Sequence, residues 1–463
     1  LSFLEGQFSG EVSHTKTLFQ SLGVLLAKMN LKLQAFDSEA IRTREWEWGI
    51  QHLHLNKAYL TDIDDAGDRA LVTYFFQQFE ENVSPTLHLL RRATIHNDAN
   101  EWNVLVNNGE VSGLIDFGDL AYSPLINELA VAISYACFDK ENPIEWASII
   151  LKSYHEVLAL EENEIAVLYY LIAARLCTSL CNAAHSKKTN PDNKYAFGSE
   201  KQAWNLLHRW ICINPIAAEN SFRSAIGLAA LSVKSTDEMV EERLEVLSPA
   251  LTLTYSKPIV LSRSAFQYMY DVYGNTYLDA YNNIPHVGHS HPLVVEAGQR
   301  QMAKLNTNTR YLNDLLPEYA NKLLSKFPDA LNRVFLVNSG SEASDLAIRI
   351  ARTHSGHNNI MVMEHGYHGQ TQTDIDISDY KFSNKVGQGQ KDYIIKAVLP
   401  DTYRGKYTRN NGSAGKAYAQ EALDQIMGSD EPIAAFISEP ILGCAGQVPL
   451  ARGYLQEIYP AIR

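Results

Sequence analysis

Cysteine is scarce in this 463-residue chain: five residues, at 137, 177, 181, 212 and 444. An odd count, set mostly in apolar runs, excludes a disulfide framework and reads as reduced thiols in a cytosolic, hence cytoplasmic, protein. Positive charge is also short. Forty Lys and Arg against 53 Asp and Glu leave a net charge of −13, and an acidic surface of that size repels phosphate backbones and anionic lipid, which sets aside nucleic-acid and membrane partners. No uncharged run is long enough to span a bilayer, because the most apolar stretch, Ala166 to Cys181, is interrupted by Arg175. Internal repeats and low-complexity segments are missing as well, and the first residues read as neither the charged n-region nor the apolar h-region of a signal peptide. What is present is ordinary globular material, 46% apolar and 20% charged, long enough for two or three compact units.

Both ends read as cut. The chain begins with Leu1 rather than Met, and Leu-Ser-Phe-Leu reads as the end of a strand; Gly453 to Arg463 reads as a helix that stops where a strand should follow. Between them, Thr15 to about Cys212 is mostly helical in pattern, with Leu18, Leu22, Leu25, Leu26 and Met29 on one face. One β segment interrupts it: Val104 to Val106 and Val111 to Ile115 flank Asn107-Asn108-Gly109-Glu110, a strong hairpin signal. Residues 217–247 read as one or two connecting helices, ended by Pro249. The expected domains are therefore 1–214, a helical linker at 215–247, and 248–463. In the last, Val334 to Val337, Ile360 to Met363 and Ala434 to Ile437 alternate with helical stretches, the pattern of α/β with a mostly parallel sheet.

The hairpin carries the first candidate site. His96-Asn-Asp98-Ala-Asn-Glu-Trp-Asn103 precedes it and Ile115-Asp116-Phe-Gly-Asp119 closes it. With Asn108 and Gly109 as central turn residues, position 103 pairs with 114, so Asn103 and Asp116 become same-face neighbours about 7 Å apart or less. That spacing suits one oxygen-ligated cation, magnesium rather than zinc. Asp98 is placed to accept a proton from a substrate hydroxyl, and His96 to brace the loop backbone. These are the elements of phosphoryl transfer. Taken singly, each Asp or Asn is equally at home as a turn residue. The joint pattern resembles the aminoglycoside/choline phosphotransferase family over roughly residues 1 to 212, and within it hydroxylysine kinase, through Val111 to Asp119 and Ala174-Arg-Leu-Cys-Thr-Ser-Leu180. The resemblance implies the C-terminal lobe of a protein-kinase-like fold, with Asp98 as base, Asn103 and Asp116 on magnesium, and ATP as phosphoryl donor. It also implies a nucleotide lobe with an ATP-binding Lys before Leu1, and it has Gly where this chain has Asn97.

The second candidate site follows Val337. Asn338-Ser-Gly340-Ser341 opens a helix with apolar residues at Ala343, Leu346, Ala347, Ile350 and Ala351. A strand, a Gly turn and a helix start make an anion site, where Gly340 lets backbone approach a phosphate and Ser341 adds a donor; the bland alternative is a capped β-α turn. Gly366-Tyr367-His368-Gly369 offers an aromatic face after the second strand, and Ser438-Glu439-Pro440 a carboxylate after the third. With Asp279 to His289, Asn338 to Ala343 and Tyr367-His-Gly369, residues 248 to 463 resemble the class III, pyridoxal-phosphate-dependent aminotransferases of fold type I. The resemblance implies that Gly340 and Ser341 hold the cofactor phosphate, Tyr367 stacks on the pyridine ring with His368 adjacent, Glu439 lies near ring and substrate, and a homodimer forms through this half. The Schiff-base Lys and the carboxylate for the ring nitrogen match no residue here and are implied beyond Arg463, so the chain alone is expected to be inactive. His286, His289 and His291 lack a further ligand in register for zinc, and Cys177 and Cys181 read as core.

Within class III the chain resembles the ethanolamine-phosphate and phosphohydroxylysine phospho-lyases through Leu305 to Asn313, Asp376 to Phe382 and Pro400 to Gly405, and Gln370 stands where many transaminases have Arg. The implied function is bifunctional: one half phosphorylates a small amino alcohol or hydroxy amino acid, the other eliminates phosphate and ammonia. Ordinary transamination is the alternative, favoured by Ser438 to Ile441 and Gly443 to Gln447. A third possibility, a first half that only binds substrate or serves assembly, is disfavoured by the retained carboxylates at 98 and 116.

Overall fold

The structure is a computed structural model that describes residues 4–193, 197–282, 285–409 and 412–463. Residues 1–3 of the expected strand end, and Asn283 and Ile284 of the 279–289 motif, lie outside the described residues. The fold is mixed α/β and divides into two compact units, Leu1–Thr307 and Asn308–Arg463. Residues 248–307 thus fold with the first unit.

In the first unit Lys16–Leu33 (α1) starts at Thr15, whose hydroxyl accepts the Leu18 N–H at 3.1 Å, and buries Leu18, Leu22 and Leu26. Ile126–Ala136 (α2), Pro143–His155 (α3) and Glu162–Thr189 (α4) complete the helical core that positions the site. A capping box of Glu161 and Glu164 opens α4, which is buried on nearly every side from Ile165 to Ala183. It is long and apolar enough to cross a membrane by length and composition, and 89% of that apolar window is buried inside the fold. Helices α1 and α3 touch at Gly23, where a Cβ would stand 2.4 Å from the Ile150 carbonyl oxygen and 3.0 Å from Ser153 Cβ.

Short strands lie against these helices: Gln7–Phe8 (β1), Arg92–Ile95 (β2), Val104–Asn107 (β3), Glu110–Leu114 (β4) and Ala121–Pro124 (β5). They form an antiparallel β1-β3-β4 sheet and an antiparallel β2-β5 pair. The hairpin forms as expected, with Asn108 and Gly109 at φ 52° and 82°. Its register is one residue away from the expected one: Val104, not Asn103, pairs with Leu114, and a bulge separates Leu105 from Val106. Asn103 lies opposite Ile115, whose N–H it accepts at 3.0 Å. A one-residue slip exchanges faces, and Asp116 leaves the strand at φ 60°, so the same-face pairing of Asn103 with Asp116 is replaced by a turn. Helices at Pro215–Ala225 and Thr236–Val246 lead to Leu261–Ala265 (β6), Tyr268–Asp271 (β7) and Thr276–Leu278 (β8), a three-stranded antiparallel sheet.

The second unit alternates helix and strand: Gly340–Ser355 (α5), Asn359–Met363 (β9), Ile394–Ala397 (β10), Ser413–Met427 (α6), Ile433–Ile437 (β11) and Tyr454–Ile462 (α7). Strands β10 and β11 flank β9, both parallel to it. Alternate residues bury on opposite faces. Ile360 and Val362 pack with Ile348 and Phe382, and Met361 and Met363 with Tyr418, Tyr454 and Ile458. The expected strand at 334–337 does not join this sheet. Both sides of β9 are occupied, the segment enters no ladder, and Phe335 is 69% exposed.

Gly23→Ala is expected to destabilise the chain by about 1–3 kcal/mol, the overpacking cost exceeding the roughly 0.5–1 kcal/mol that Ala gains over Gly within a helix. Denaturant unfolding reads it, and equal or higher stability would mean that α1 and α3 separate freely at this crossing.

Candidate functional site

The loop after β2 is built around Asp98. Its Oδ2 accepts Asn100 Nδ2 at 2.9 Å and Asn103 Nδ2 at 2.8 Å, and Asn103 Nδ2 also donates to the Asp98 carbonyl at 2.9 Å. That commits the amide nitrogen of Asn103 and leaves its oxygen turned away from Asp98. Asp98 Oδ1 accepts from Arg175 on α4 at 3.1 Å. Burial pushes the Asp98 carboxyl up, and Arg175 is the largest opposing influence. His96 is sealed from solvent. Its Nε2 meets the Ile115 carbonyl at 2.9 Å, and a carbonyl only accepts, so Nε2 carries the proton and Nδ1 accepts the Asp98 N–H at 3.3 Å. The ring is neutral, in keeping with a pKa lowered by burial.

Asn97 occupies φ 68°, a conformation Gly enters freely and Asn tolerates better than most residues, so the loop keeps a glycine-like backbone. The His96 N–H goes to Glu128 Oε2 on α2 at 2.7 Å. Glu128 is fully buried, its Oε1 has no partner, and burial raises its pKa to about 7. Asp116, exposed, accepts only a 3.2 Å contact from its own turn at Gly118 among the described residues. Asp119 is half-buried, its pKa raised by burial and then by Asp98.

In the second unit the carboxyl ends of β9 and β11 bring the remaining candidates together. Glu439 accepts the Tyr367 N–H through Oε1 and the Gly443 N–H through Oε2, each at 2.8 Å, so it pins the 366–369 turn. Ser339 caps α5 by accepting the Glu342 N–H at 3.1 Å, which leaves the Gly340 and Ser341 amides in the open first turn. Ser341 Oγ accepts the Gln370 N–H at 3.0 Å, keeping its own hydrogen to donate, and Gln370 Nε2 donates to the Tyr367 hydroxyl at 3.1 Å. His368 donates its N–H to Ser378 at 2.8 Å, and its Nε2 is buried without a partner. Burial lowers the His368 pKa, against Glu439 and Asp374. A Cβ at Gly340 would meet open space, so that glycine is not sterically required. Gly369 is: at φ 137° its Cβ would stand 2.3 Å from Asp374 Oδ2 and 2.6 Å from Ser341 Oγ.

The family model for phosphotransferase enzymes matches residues 1–164, and that for class-III aminotransferases matches residues 253–460. One chain thus carries a segment that matches the phosphotransferase model and another that matches the class-III aminotransferase model. An alanine–glyoxylate aminotransferase 2-like protein of Drosophila melanogaster is 40% identical over 51% of this chain and 50% of its own length. An ethanolamine-phosphate phospho-lyase homolog 1 of Caenorhabditis elegans is 34% identical over 51% and 53% respectively. The chain therefore spans about half the length of these relatives. Among solved structures, a phospholyase from Arthrobacter in complex with phosphoethanolamine is 33% identical, with a TM-score of 0.44 over 49% of this chain and 53% of that one.

Two buried groups of the first unit escape sequence reasoning as site residues. Arg175 has a signal, a lone charge within an apolar run; Glu128 has none, since an acid in a helix is unremarkable until its burial is known. Among the described residues no three His, Cys, Asp or Glu side chains form a metal-holding group, and His289 instead meets Asp279 at 2.6 Å. Cys177 and Cys181 are free and buried.

Because the folded pKa of Glu128 is raised from 4.5 to about 7, the folded chain holds a proton that the unfolded chain has released within that window. Stability therefore falls as pH rises across it. Glu128→Gln abolishes this titration, and the variant is expected to gain on the wild type by the order of 1–3 kcal/mol between about pH 5 and 8. A pH-independent difference in denaturant unfolding would show Glu128 already ionised at the acid end.

Proposed function

We propose that the chain belongs to a bifunctional cytoplasmic enzyme of amino-alcohol metabolism. Residues 1–214, as the C-terminal lobe of a protein-kinase-like fold, phosphorylate the hydroxyl of a small amino alcohol or hydroxy amino acid. Beyond a linker at 215–247, residues 248–463 act as a fold-type I phospho-lyase. The observation that carries the reading is the joining of the two segments in one chain, since the phosphate ester made by the first is the leaving group needed by the second.

In the first step Asp98 takes the proton of the substrate hydroxyl as its oxygen attacks the γ-phosphorus of ATP and the bond to ADP breaks. Asn103 Oδ1 and Asp116 would hold magnesium, and their donor chemistry fits: both are hard oxygens, and neither is committed to a cation side chain. His96, neutral, and Glu128 fix the loop that presents Asp98.

Pyridoxal phosphate, when bound, supplies an electron sink for the carbon bearing the amino group. Its fit rests on the free first turn of α5, the open space beside Gly340 and the unpartnered Nε2 of His368. Gly340 and Ser341 would hold the phosphate, Tyr367 would stack on the ring with His368 adjacent, and Glu439 would keep the Tyr367 turn in place. The overall reaction would convert a phosphorylated amino alcohol and water to an aldehyde, ammonia and inorganic phosphate, the C–O bond breaking with its electrons leaving on the phosphate. Tyr311, Leu312, Leu316 and Phe335 are each more than 40% exposed, and a homodimer through this half would cover such residues. The alternative is transamination, favoured by the aminotransferase name of the Drosophila relative.

In the full-length protein, Asp98→Asn is expected to reduce magnesium- and ATP-dependent phosphorylation of ethanolamine or hydroxylysine by roughly a hundredfold or more. Unchanged turnover would remove Asp98 from the role of base.

A single incubation of the full-length protein with phosphorylated amino alcohols and a keto acid separates the two readings of the class III half. Inorganic phosphate and ammonia in equal amounts are the expected products; amino transfer without phosphate release would discard the lyase.

A further inference from the structure

The turn between β4 and β5 carries Asp116 and is thinly held. Asp116, Phe117 and Gly118 are exposed, Asp116 stands at φ 60° and ψ 75°, and among the described residues 116–120 pair with no strand. Phe117 leans edge-on against His96, ring centroids 4.8 Å apart. A non-glycine residue in the left-handed region keeps that conformation only where its surroundings hold it there. One guanidinium serves the turn twice: Arg44 Nη1 donates to the Gly118 carbonyl at 2.8 Å and to the Leu120 carbonyl at 3.4 Å. Water would satisfy such exposed carbonyls as well, so what Arg44 adds is a fixed position. The Trp46 ring centroid lies 3.5 Å from the guanidinium carbon, and that contact holds the planar fork in place.

The same stretch of chain touches the other side of the site. The Trp48 carbonyl accepts from Arg175, which also donates to Asp98, and Ile50 beyond it is sealed in the core. At the exit of the turn, Gln51 and Arg92 donate to the Tyr122 carbonyl at 3.0 and 3.1 Å, and the Arg42 guanidinium lies 4.9 Å from the Tyr122 ring centroid. Residues 42–51 thus run as a strap from the Asp98 side to the Asp116 turn. We propose that Arg44 is a positioning residue for the metal side of the phosphotransfer site, fixing the turn that carries Asp116 and so setting where Asp116 stands relative to Asp98 and Asn103. This inference rests on the phosphotransfer reading of residues 1–214 and on the magnesium pair it includes. Asn103 is already fixed, by its bonds to Asp98 and Ile115. Asp116 is the member of the pair whose position depends on its turn, and a metal ligand left loose binds weakly however suitable its oxygen.

The test uses the full-length protein and manganese, whose paramagnetic signal reports the free ion without any turnover. Asp116→Ala identifies the share of bound manganese that belongs to this site. In Arg44→Met the Kd for that share is expected to rise about tenfold or more, the amides of residues 117–121 to exchange faster with solvent, and those of α1 and α3 to keep their wild-type protection. Arg44→Lys, which keeps a cationic donor, is expected to bind manganese more tightly than Arg44→Met. In ATP-dependent phosphorylation of ethanolamine by Arg44→Met, the apparent KM for magnesium is expected to rise more than kcat falls. Wild-type affinity for manganese in Arg44→Met overturns the proposal, whether or not the turn exchanges faster. Should Arg44→Met also lose protection in α1 and α3, Trp46→Leu takes its place, since it removes the ring and leaves the guanidinium; a smaller rise in Kd is expected, and wild-type affinity overturns the proposal there too. A wild-type protein with no Asp116-dependent manganese binding would instead reject the metal reading of Asn103 and Asp116, and the proposal with it.

Discussion

A guanidinium enclosed by an apolar helix has to be neutralised where it stands, because no water reaches it and no rearrangement of a 28-residue core helix can expose it. That constraint organises the first unit around Arg175. The backbone of Trp48, the phenol of Tyr135 and the carboxylate of Asp98 are brought to the guanidinium from three places in the sequence, and the loop carrying Asp98 inherits its position from the helix. Everything else at the site hangs from that loop. Asn100 and Asn103 take the other carboxylate oxygen, His96 bonds the Asp98 amide, and the Ile115 carbonyl bonds His96, which ties the loop to the end of the hairpin.

The two units solve one backbone problem in the same way. A strand that ends at a site has to turn sharply, and in both units the turn contains a non-glycine residue at positive φ: Asn97 at 68° after β2 and His365 at 62° after β9. Such a turn aims amide groups inward, away from the ladder that would have used them, and an inward amide needs an acceptor. A carboxylate from a neighbouring element supplies it each time. Glu128 receives the His96 amide, and Asp379 receives the His365 amide at 2.7 Å while also accepting Lys396. Glu439 does the same for Tyr367 and Gly443. Full burial raises the pKa of Glu128, whereas that of Asp379 is lowered by its hydrogen bonds from Ser383 and the His365 amide and then by Lys396, which outweigh its partial burial.

What could be read from the sequence was local. Asn108-Gly109 specified the hairpin because two consecutive residues at positive φ admit few other turns, and the alternating buried faces of β9 followed from its apolar run. The register did not follow, since the bulge between Leu105 and Val106 leaves no mark in residue type. Nor did the fate of 334–337, whose composition suits a strand but whose pairing depends on which segments flank β9. Gly340 and Gly369 show the same limit. Gly340 sits in a motif that suggests close approach yet meets open space, whereas the contact that forbids a side chain at 369 comes from Ser341 and Asp374, and three-dimensional neighbours of that kind are invisible along a chain. Arg175 announced itself as a charge out of place, while its partner, 77 residues away, did not.

The acidity of the chain bears on the phospho-lyase reading. A phosphorylated amino alcohol carries an ammonium and a phosphate monoester, and so is net negative near neutral pH. A protein with a net charge of −13 offers such a molecule no long-range attraction; its averaged field opposes approach, the more so at low salt. Capture then has to be local, through donors that act within a few ångströms. The open first turn of α5, with the Ser341 hydroxyl beside it, is a site of that kind, because amide dipoles attract an anion without adding formal positive charge. The same reasoning applies to ATP at the hairpin, where Asp98, Asp116 and Asp119 would repel a triphosphate directly. On the phosphotransfer reading, a divalent cation held by Asn103 and Asp116 would reverse the sign of that corner, and the buried charge of Arg175, already matched by Asp98, could not substitute for it.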